Sequence, residues 1–319
     1  MTSRTHSRPR RQRANVPAIT YRQARKADMS GCARVFVRSS RDLARRQGGA
    51  PPRTRAADIV PALAHLQRTD PRGFHVAVKQ RRVVAFASTI VRGNTHFLSM
   101  FWASPGLQSR GVGRNVLTRA FEGPRPARSA VRCVFASLDA RAQMLYLKFG
   151  MRPRGMFYLL KGAPGASPRP RHSVALEQVG KPGSTSPRML AIAARFDRTF
   201  RAARRDADIR YVMGLPGARF FIARAGRRII GYAVVNEKGR IGPAGVVDPR
   251  FSAGLAWAIK EAARAIGAKE LFVVVPGVNA GALETFFEAG LKTEFFGAWM
   301  SAKPVGSFEG YLLAGGMLL

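Results

Sequence analysis

Cysteine is nearly missing from this 319-residue chain: Cys32 and Cys133 are its only two. Two cysteines cannot build a disulfide framework or a zinc site. Histidine is sparse as well, with His6, His65, His75, His96 and His172 scattered singly, so a metalloenzyme is not expected. No run approaches the ~18 consecutive apolar residues of a membrane span. The first thirteen residues are rich in Arg and Ser with no apolar stretch behind them, so a secretory leader is not expected and a cytoplasmic location is. Acidic residues are few, 18 against 54 Lys and Arg, which leaves a formal net charge of +36. What the chain does have is 46% apolar residues, enough for a substantial core.

The charge has two readings. A polyanionic partner would account for it: nucleic acid, an anionic membrane surface or a phosphate-rich cofactor. So would background composition, because 44 of the 54 basic residues are Arg and only 10 are Lys, amid abundant Ala, Gly and Pro. Its distribution is uneven. Residues 1–165 carry 32 basic and 6 acidic residues, and residues 166–319 carry 22 and 12. Arg4, Arg8, Arg10, Arg11 and Arg13 form a basic tail that is expected to be disordered.

Apolar periodicity sets out the organisation. A short strand at 19–24 precedes a helix through Val35, Phe36 and Leu43, which the Gly- and Pro-rich segment 48–52 breaks. A second helix carries Ile59, Leu63 and Leu66. Three apolar runs follow at 74–78, 83–91 and 96–103, the last two joined by the turn Arg92-Gly93-Asn94. Pro105 ends the third run, a helix follows over 111–121, and a strand at 131–137 leads to an amphipathic helix with Met144, Leu145 and Phe149. Residues 156–160 are expected to close this unit. The stretch 163–187, rich in Gly, Pro and Ser, reads as a linker. Met189, Ile192, Phe196 and Phe200 then recur at helical spacing.

The second half repeats the first. Phe74-His75-Val76-Ala77-Val78 matches Phe220-Phe221-Ile222-Ala223-Arg224, and the run from Arg81 to Ala87 matches that from Arg227 to Ala233 at the same offset. Pro105 then corresponds to Pro249, and Ala142, Tyr146 and Gly150 to Ala282, Phe286 and Gly290. An ordered series of this kind indicates two related domains in tandem.

The most informative stretch runs from the strand at 96–103 through Pro105 into Gln108-Ser109-Arg110-Gly111-Val112-Gly113-Arg114. A strand, a break, a Gly-bearing loop and a helix start can converge backbone N–H groups on a phosphate, aided by the helix dipole. It is neither a Walker loop nor a full Gly-x-Gly-x-x-Gly, since position 116 is Val. Taken alone, it could be a tight strand–helix turn.

Here the sequence resembles the GNAT N-acetyltransferase superfamily. The residues Gln108 to Gly113 fit that family's acetyl-CoA motif, Gln/Arg-x-x-Gly-x-Gly/Ala, and the segment from Ala142 through Tyr146 to Gly150-Met151 resembles its second conserved helix. The likeness covers about 18–162. It implies an α/β (α+β) fold of two tandem GNAT-like domains, each a mixed, mostly antiparallel central sheet flanked by helices. The expected division is a tail at 1–17, a domain with the acetyl-CoA site at 18–162, the linker at 163–187, and a degenerate copy at 188–319. The copy has Asp248-Pro249-Arg250 in place of the motif, and Phe286 in place of Tyr146.

The resemblance also implies roles. Backbone amides of Gln108, Ser109, Arg110, Gly111, Val112 and Gly113 would hold the polyanionic co-substrate, with Arg110 and Arg114 as countercharges. A backbone N–H among Phe101, Trp102 and Ala103 would meet the oxyanion. Tyr146 would be the general acid for the leaving thiolate. Phe101 and Trp102 could line the acyl channel, although alternate residues of a buried strand are commonly core. No carboxylate stands on the strand at 96–103 as a general base; His75 and His96 are strand-located candidates, and a lone His beside an apolar run is commonly structural. Asp139 stands where the family has Asn, which leaves it the role of a helix cap. The expected activity is transfer of acetyl from acetyl-CoA, without a metal, to a primary amine of a small molecule or peptide. Few carboxylates in the first domain argue against a polyamine acceptor. The alternatives are a nucleic-acid-associated protein, reached through the basic tail, or an acetyl-CoA sensor without turnover.

Overall fold

A computed structural model describes residues 18–107 and 111–318. The basic tail at 1–17, and Gln108, Ser109 and Arg110 of the loop motif, lie outside the described residues.

The first half opens with β1 (Thr20–Gln23), α1 (Met29–Arg46) and α2 (Ala56–Thr69). Helix α1 buries Met29, Cys32, Val35, Ser39 and Leu43 at three- and four-residue steps and leaves Arg34, Arg38, Arg41 and Arg45 outside. Gly48, at φ +73°, ends it in the left-handed conformation that a glycine adopts most cheaply. Three antiparallel strands follow: β2 (Phe74–Lys79), β3 (Arg82–Arg92) and β4 (Thr95–Ala103). Then come α3 (Val112–Glu122), β5 (Val131–Ala136), α4 (Ala140–Lys148) and β6 (Arg152–Gly162).

The second half runs β7 (Ala175–Val179), α5 (Pro187–Arg201), α6 (Asp206–Met213), β8 (Arg219–Ala225), β9 (Arg228–Val235), β10 (Ile241–Val246), α7 (Ser252–Ala265), β11 (Leu271–Pro276), α8 (Ala280–Glu288), β12 (Lys292–Ser301) and β13 (Tyr311–Leu312). The order of elements repeats, as the sequence offsets indicate. Even the terminators match: α4 and α8 are capped by Asp139 and Asn279, and are followed by Gly150 at φ +82° and Gly290 at φ +85°.

Two expectations need correction. Residues 175–179, inside the expected linker, form β7, which pairs with β8 through Leu176 opposite Ala223. This edge strand is half exposed and only five residues long, too short for its alternation to stand out between Gly- and Pro-rich flanks. The fold is of the expected kind, two tandem domains built on mixed, mostly antiparallel sheets flanked by helices; the second correction is that residues 156–160 do not close the first unit. Instead the eight-stranded sheet runs β1-β2-β3-β4-β5-β12-β6-β11, and the five-stranded sheet runs β13-β10-β9-β8-β7. Strand β12 comes from the second half and lies between β5 and β6, with Trp299 opposite Phe135 and Ala298 opposite Met156. Strand β6 lies between β12 and β11. The two halves thus exchange their last long strands. Apolar alternation shows that a strand is half buried; it does not say which edge the strand satisfies.

The exchange fuses the cores. One cluster unites Phe97, Cys133 and Phe157 of the first half with Phe196, Phe220 and Trp299 of the second. Phe135 stands between Phe157 and Trp299, with ring centroids 4.8 and 4.9 Å away. Cys32 and Cys133 are buried apolar fillers with free thiols, as expected.

Candidate functional site

The site begins where the sheet opens. Strands β4 and β5 are parallel and paired only from Thr95 opposite Val131 to Leu98 opposite Val134. Ser99 is then an extra residue in β4, a bulge between the pairs Thr89–Leu98 and Ser88–Met100. Its hydroxyl donates to the carbonyl of Met317. Beyond the bulge, Phe101, Trp102 and Ala103 remain paired to β3, while β5 turns to β12. A fork results: among the described residues, no strand pairs with the second edge of β4 at Phe101 and Trp102. Such an edge presents backbone N–H and C=O groups to an extended ligand.

Phe101 and Trp102 point to opposite faces of β4, as the two-residue period requires. Trp102 meets Phe36 of α1 edge-on at 5.0 Å. The same helix reaches the strand end through Ser39, whose hydroxyl donates to the carbonyl of Ala103 at 3.0 Å. Ser39 and Phe36 were not among the expected site residues. Their signal is a helical stripe, and nothing local in sequence tells its buried serine from a core filler.

Phe101 faces the other way, towards α3 and α4. A Cβ on Gly113 would stand 2.9 Å from the Phe101 ring, so this glycine lets α3 settle on β4. Gly111 has a different reason. It is the N-cap of α3 at φ +77°, ψ −10°, and it supplies no side-chain cap. No acidic residue occupies the first turn of α3. Among the described residues, no side chain caps the backbone N–H groups at the start of α3, which lie beside exposed Gly111 and Arg114 at the positive end of the helix dipole. A helix start of this kind can receive phosphate oxygens, and a pyrophosphate-bearing nucleotide such as CoA fits that donor set.

Tyr146, on α4, is 5% exposed, and its ring meets Phe101 edge-on at 6.3 Å. Burial holds the phenol above its ordinary range, and the nearby charge of Asp139 adds to this. A phenol so placed keeps its proton at neutral pH, the state a proton donor needs. Asp139 itself caps α4: its carboxylate accepts from the Arg141 N–H at 3.0 Å and pairs with Arg141 and Arg46. Burial pushes that carboxyl up, but the Arg141 and Arg46 contacts prevail and hold it below the usual range.

The structure thus gathers Phe101, Trp102, Ala103, Gly111, Val112, Gly113, Arg114 and Tyr146 around the fork, with Phe101 between α3 and α4. His96, one of the two candidate bases, is not there. His96 pairs with Arg132 at the closed end of β4, six residues or ~20 Å of strand from Trp102. It packs on Phe121, and burial with the Arg132 charge pushes its pKa down to about 4. His75 stands on β2 opposite Ala87 of β3, which is itself opposite Phe101, and there burial and Arg119 lower its pKa. Among the described residues, no His, Cys, Asp or Glu group could hold a metal ion.

In the second half the equivalent region is filled. The carbonyl of His172 packs where a Cβ on Gly254 would stand, and the His172 ring meets Phe251 at 5.7 Å. The same segment receives Lys260 Nζ on the Gly165 carbonyl at 3.0 Å. Phe286, at the position of Tyr146, is fully buried and has no hydroxyl.

A forked sheet, a glycine-started helix and a buried tyrosine on the next helix, followed by a second copy, define a tandem acetyltransferase-type fold. Residues 39–151 match the model of the Acetyltransferase (GNAT) family, so the chain carries a GNAT-family domain in its first half. Among solved structures, a candidate acetyltransferase from Pyrococcus horikoshii is similar over 97% of this chain and 99% of its own, at 18% identity and a TM-score of 0.70. A GCN5-related N-acetyltransferase from Sphaerobacter thermophilus is similar over 92% and 98%, at 15% identity and 0.61. A tandem GNAT protein from the clavulanic acid biosynthesis pathway is similar over 90% and 99%, at 15% identity and 0.52. At these identities the likeness is one of fold. Among curated proteins, none matches the chain.

Proposed function

We propose that the protein is an acetyl-CoA-dependent N-acetyltransferase whose single active site lies in the first half, over residues 18–162. The observation that carries the proposal is Phe101. Its ring packs on Gly113 of the phosphate-type helix start and on Tyr146 of α4, so anion binding and proton donation converge on one strand of the fork.

Acetyl-CoA supplies an activated thioester, and the protein's residues supply the rest. The N–H groups at the start of α3 hold the pyrophosphate, with Arg114 as countercharge; Gln108, Ser109 and Arg110 precede them in the motif. The end of β4 at Phe101, Trp102 and Ala103 aligns the pantetheine arm, and a backbone N–H there meets the thioester oxygen as negative charge develops. The amine nitrogen of the acceptor bonds to the carbonyl carbon as the C–S bond breaks. Tyr146 donates its proton to the departing sulfur and is reprotonated through water, which takes up the proton the amine loses. The acceptor is a primary amine of a small molecule or peptide. In this reading the second half, 188–319, is catalytically silent. Its filled helix start and Phe286 support that role, as does the strand it lends to the first half.

The test is release of CoA from acetyl-CoA across a panel of amines and peptides. Turnover with at least one acceptor, lost in Gly111→Glu and Gly113→Glu, is the expected result. Acetyl-CoA binding without turnover would point to a sensor, and no binding would sink the proposal. One observation favours a second reading, nucleic-acid association: a groove of about 290 Å³ beside α1 is lined by Arg34, Arg38, Arg41 and Arg45. Affinity for RNA or DNA falling linearly on a log–log salt plot would mark that activity.

A further inference from the structure

The second half has a fork of its own, and the chain fills it. Strands β10 and β11 meet in parallel at one bridge, Arg240–Phe272, and share no other among the described residues, much as β4 and β5 part after Leu98. Between them runs the segment 310–314. It bonds to β10 through the Val246 N–H, which donates to the Gly310 carbonyl at 2.9 Å. It bonds to β11 through its own Leu313 N–H, which donates to the Val274 carbonyl at 3.0 Å. Asn279 donates to the Tyr311 carbonyl at 3.1 Å, and Arg240 to that of Ala314 at 3.2 Å. Tyr311, Leu312 and Leu313 are buried, so the segment is held on both edges and at its side chains.

Held in this way, the chain reaches across to the first half. Gly315 follows at φ +132°, a conformation that favours glycine. Two residues on, the Met317 carbonyl accepts from the Ser99 hydroxyl, and Leu318 is buried in the core that both halves share. Ser99 is the extra residue of the β4 bulge, with no partner on β3, at the point where β4 and β5 part. Its side chain, 7% exposed, is tied to the second half instead.

The bulge decides which backbone groups face the fork. In an antiparallel pair, successive residues alternate in turning their N–H and C=O to the partner strand. Past the bulge, the Ser104 N–H donates to the Val84 carbonyl of β3 at 2.9 Å. Counting back along the pairs, Trp102 turns its N–H to β3 and Phe101 turns its own to the fork. Without the extra residue the register would shift by one, and the two N–H groups would exchange directions.

Given the acetyltransferase reading above, on which this step rests, we propose that Ser99 is a positioning residue for acetyl transfer. Pinned by the Met317 carbonyl of the second half, it holds the bulge that turns the Phe101 N–H towards the thioester oxygen. The second half thereby takes part in the reaction without a site of its own: the segment that fills its fork sets the geometry of the other.

The test uses the full chain and an acceptor of the amine panel that turns over. Ser99→Ala should lower kcat by about 10–10²-fold, as a displaced oxyanion donor does, with the acetyl-CoA Kd and the acceptor KM unchanged. Ser99→Thr keeps the hydroxyl and should keep kcat. Deleting Gly316, which is exposed and precedes Met317, draws the carbonyl away and should reproduce the loss. Combined with Ser99→Ala, the deletion should add nothing, because both break one contact. A contact that serves stability alone would lower the melting temperature or the acetyl-CoA affinity and leave kcat of the folded enzyme as it was. Wild-type kcat in Ser99→Ala overturns the proposal, as do an equal loss in Ser99→Thr and additive losses in the double variant. If Ser99→Ala fails to fold, the Gly316 deletion decides alone, and wild-type kcat there overturns the proposal. If the wild-type protein turns over no acceptor, the acetyltransferase reading itself fails, so the two failures are told apart.

Discussion

At the scale of single residues, Tyr146 carries the sharpest consequence. A general acid that contributes about 10²-fold or more to the rate should be missed in turnover, not in binding. Tyr146→Phe is expected to lower kcat by about 10²-fold and leave the acetyl-CoA Kd unchanged, as steady-state kinetics beside calorimetry would show. Because the phenol is held above its ordinary range, the wild-type rate should show no alkaline fall from Tyr146 below that range. Gly111 gives a backbone counterpart. Its left-handed φ of +77° costs a residue with a Cβ about 1–2 kcal/mol. Gly111→Ala should lose that much stability in denaturant unfolding and bind acetyl-CoA more weakly. Gly106→Ala nearby is the control: its Cβ would enter open space at an ordinary φ, so it should change neither. Both glycines stand out in the sequence. Only the structure separates a glycine kept for its φ from Gly113, kept for its nearness to Phe101.

At the scale of elements, local pattern located the helices and strands of the first half and α5, β8 and β9 of the second, because buried faces recur at the periods that each backbone geometry imposes. Strand β7 escaped because five half-exposed residues at a sheet edge carry little of that signal. The exchanged strands escaped for another reason. β6 is visible as a strand, but the partners of β6 and β12 lie in the other half, and pairing leaves no mark in either segment alone. The exchange rests on close contact at Gly297, whose hypothetical Cβ would run into the Ala136 carbonyl of β5 and the Phe157 ring of β6. Gly297→Val should pry β12 away from both neighbours. A loss of about 1–3 kcal/mol is expected for overpacking of this kind, measurable by denaturant unfolding. Acetyl transfer should fall with it, since β12 holds β5 on one side of the fork.

At the scale of the whole molecule, the exchanged strands and the shared core make two units thermodynamically one. Calorimetry should show a single transition, with no half unfolding ahead of the other. The link Asp70–Arg92–Asp208 adds a pH signature. Burial alone would raise the Asp208 carboxyl, but hydrogen bonds from His65 and Arg92 and the Arg92 charge bring it down to about 2 from 3.8. A depressed folded-state pKa contributes stability that is full above the unfolded value and lost as pH falls through the folded one. The window is therefore pH 3.8 down to 2, and the loss is about 2 kcal/mol. Asp208→Asn should flatten that limb of the acid-unfolding curve.

By itself, the sequence determined the repeated order of elements, the glycine-started helix and the tyrosine on the following helix. These depend on periodicity and on residue types that local geometry demands. The tertiary structure alone decided that the halves trade strands, that β4 and β5 part after Leu98, that His96 lies at the closed end of β4, and that Ser99 is tied to Met317 of the second half. Each of these is a relation between distant segments, set by which edges and charges meet once the chain has packed.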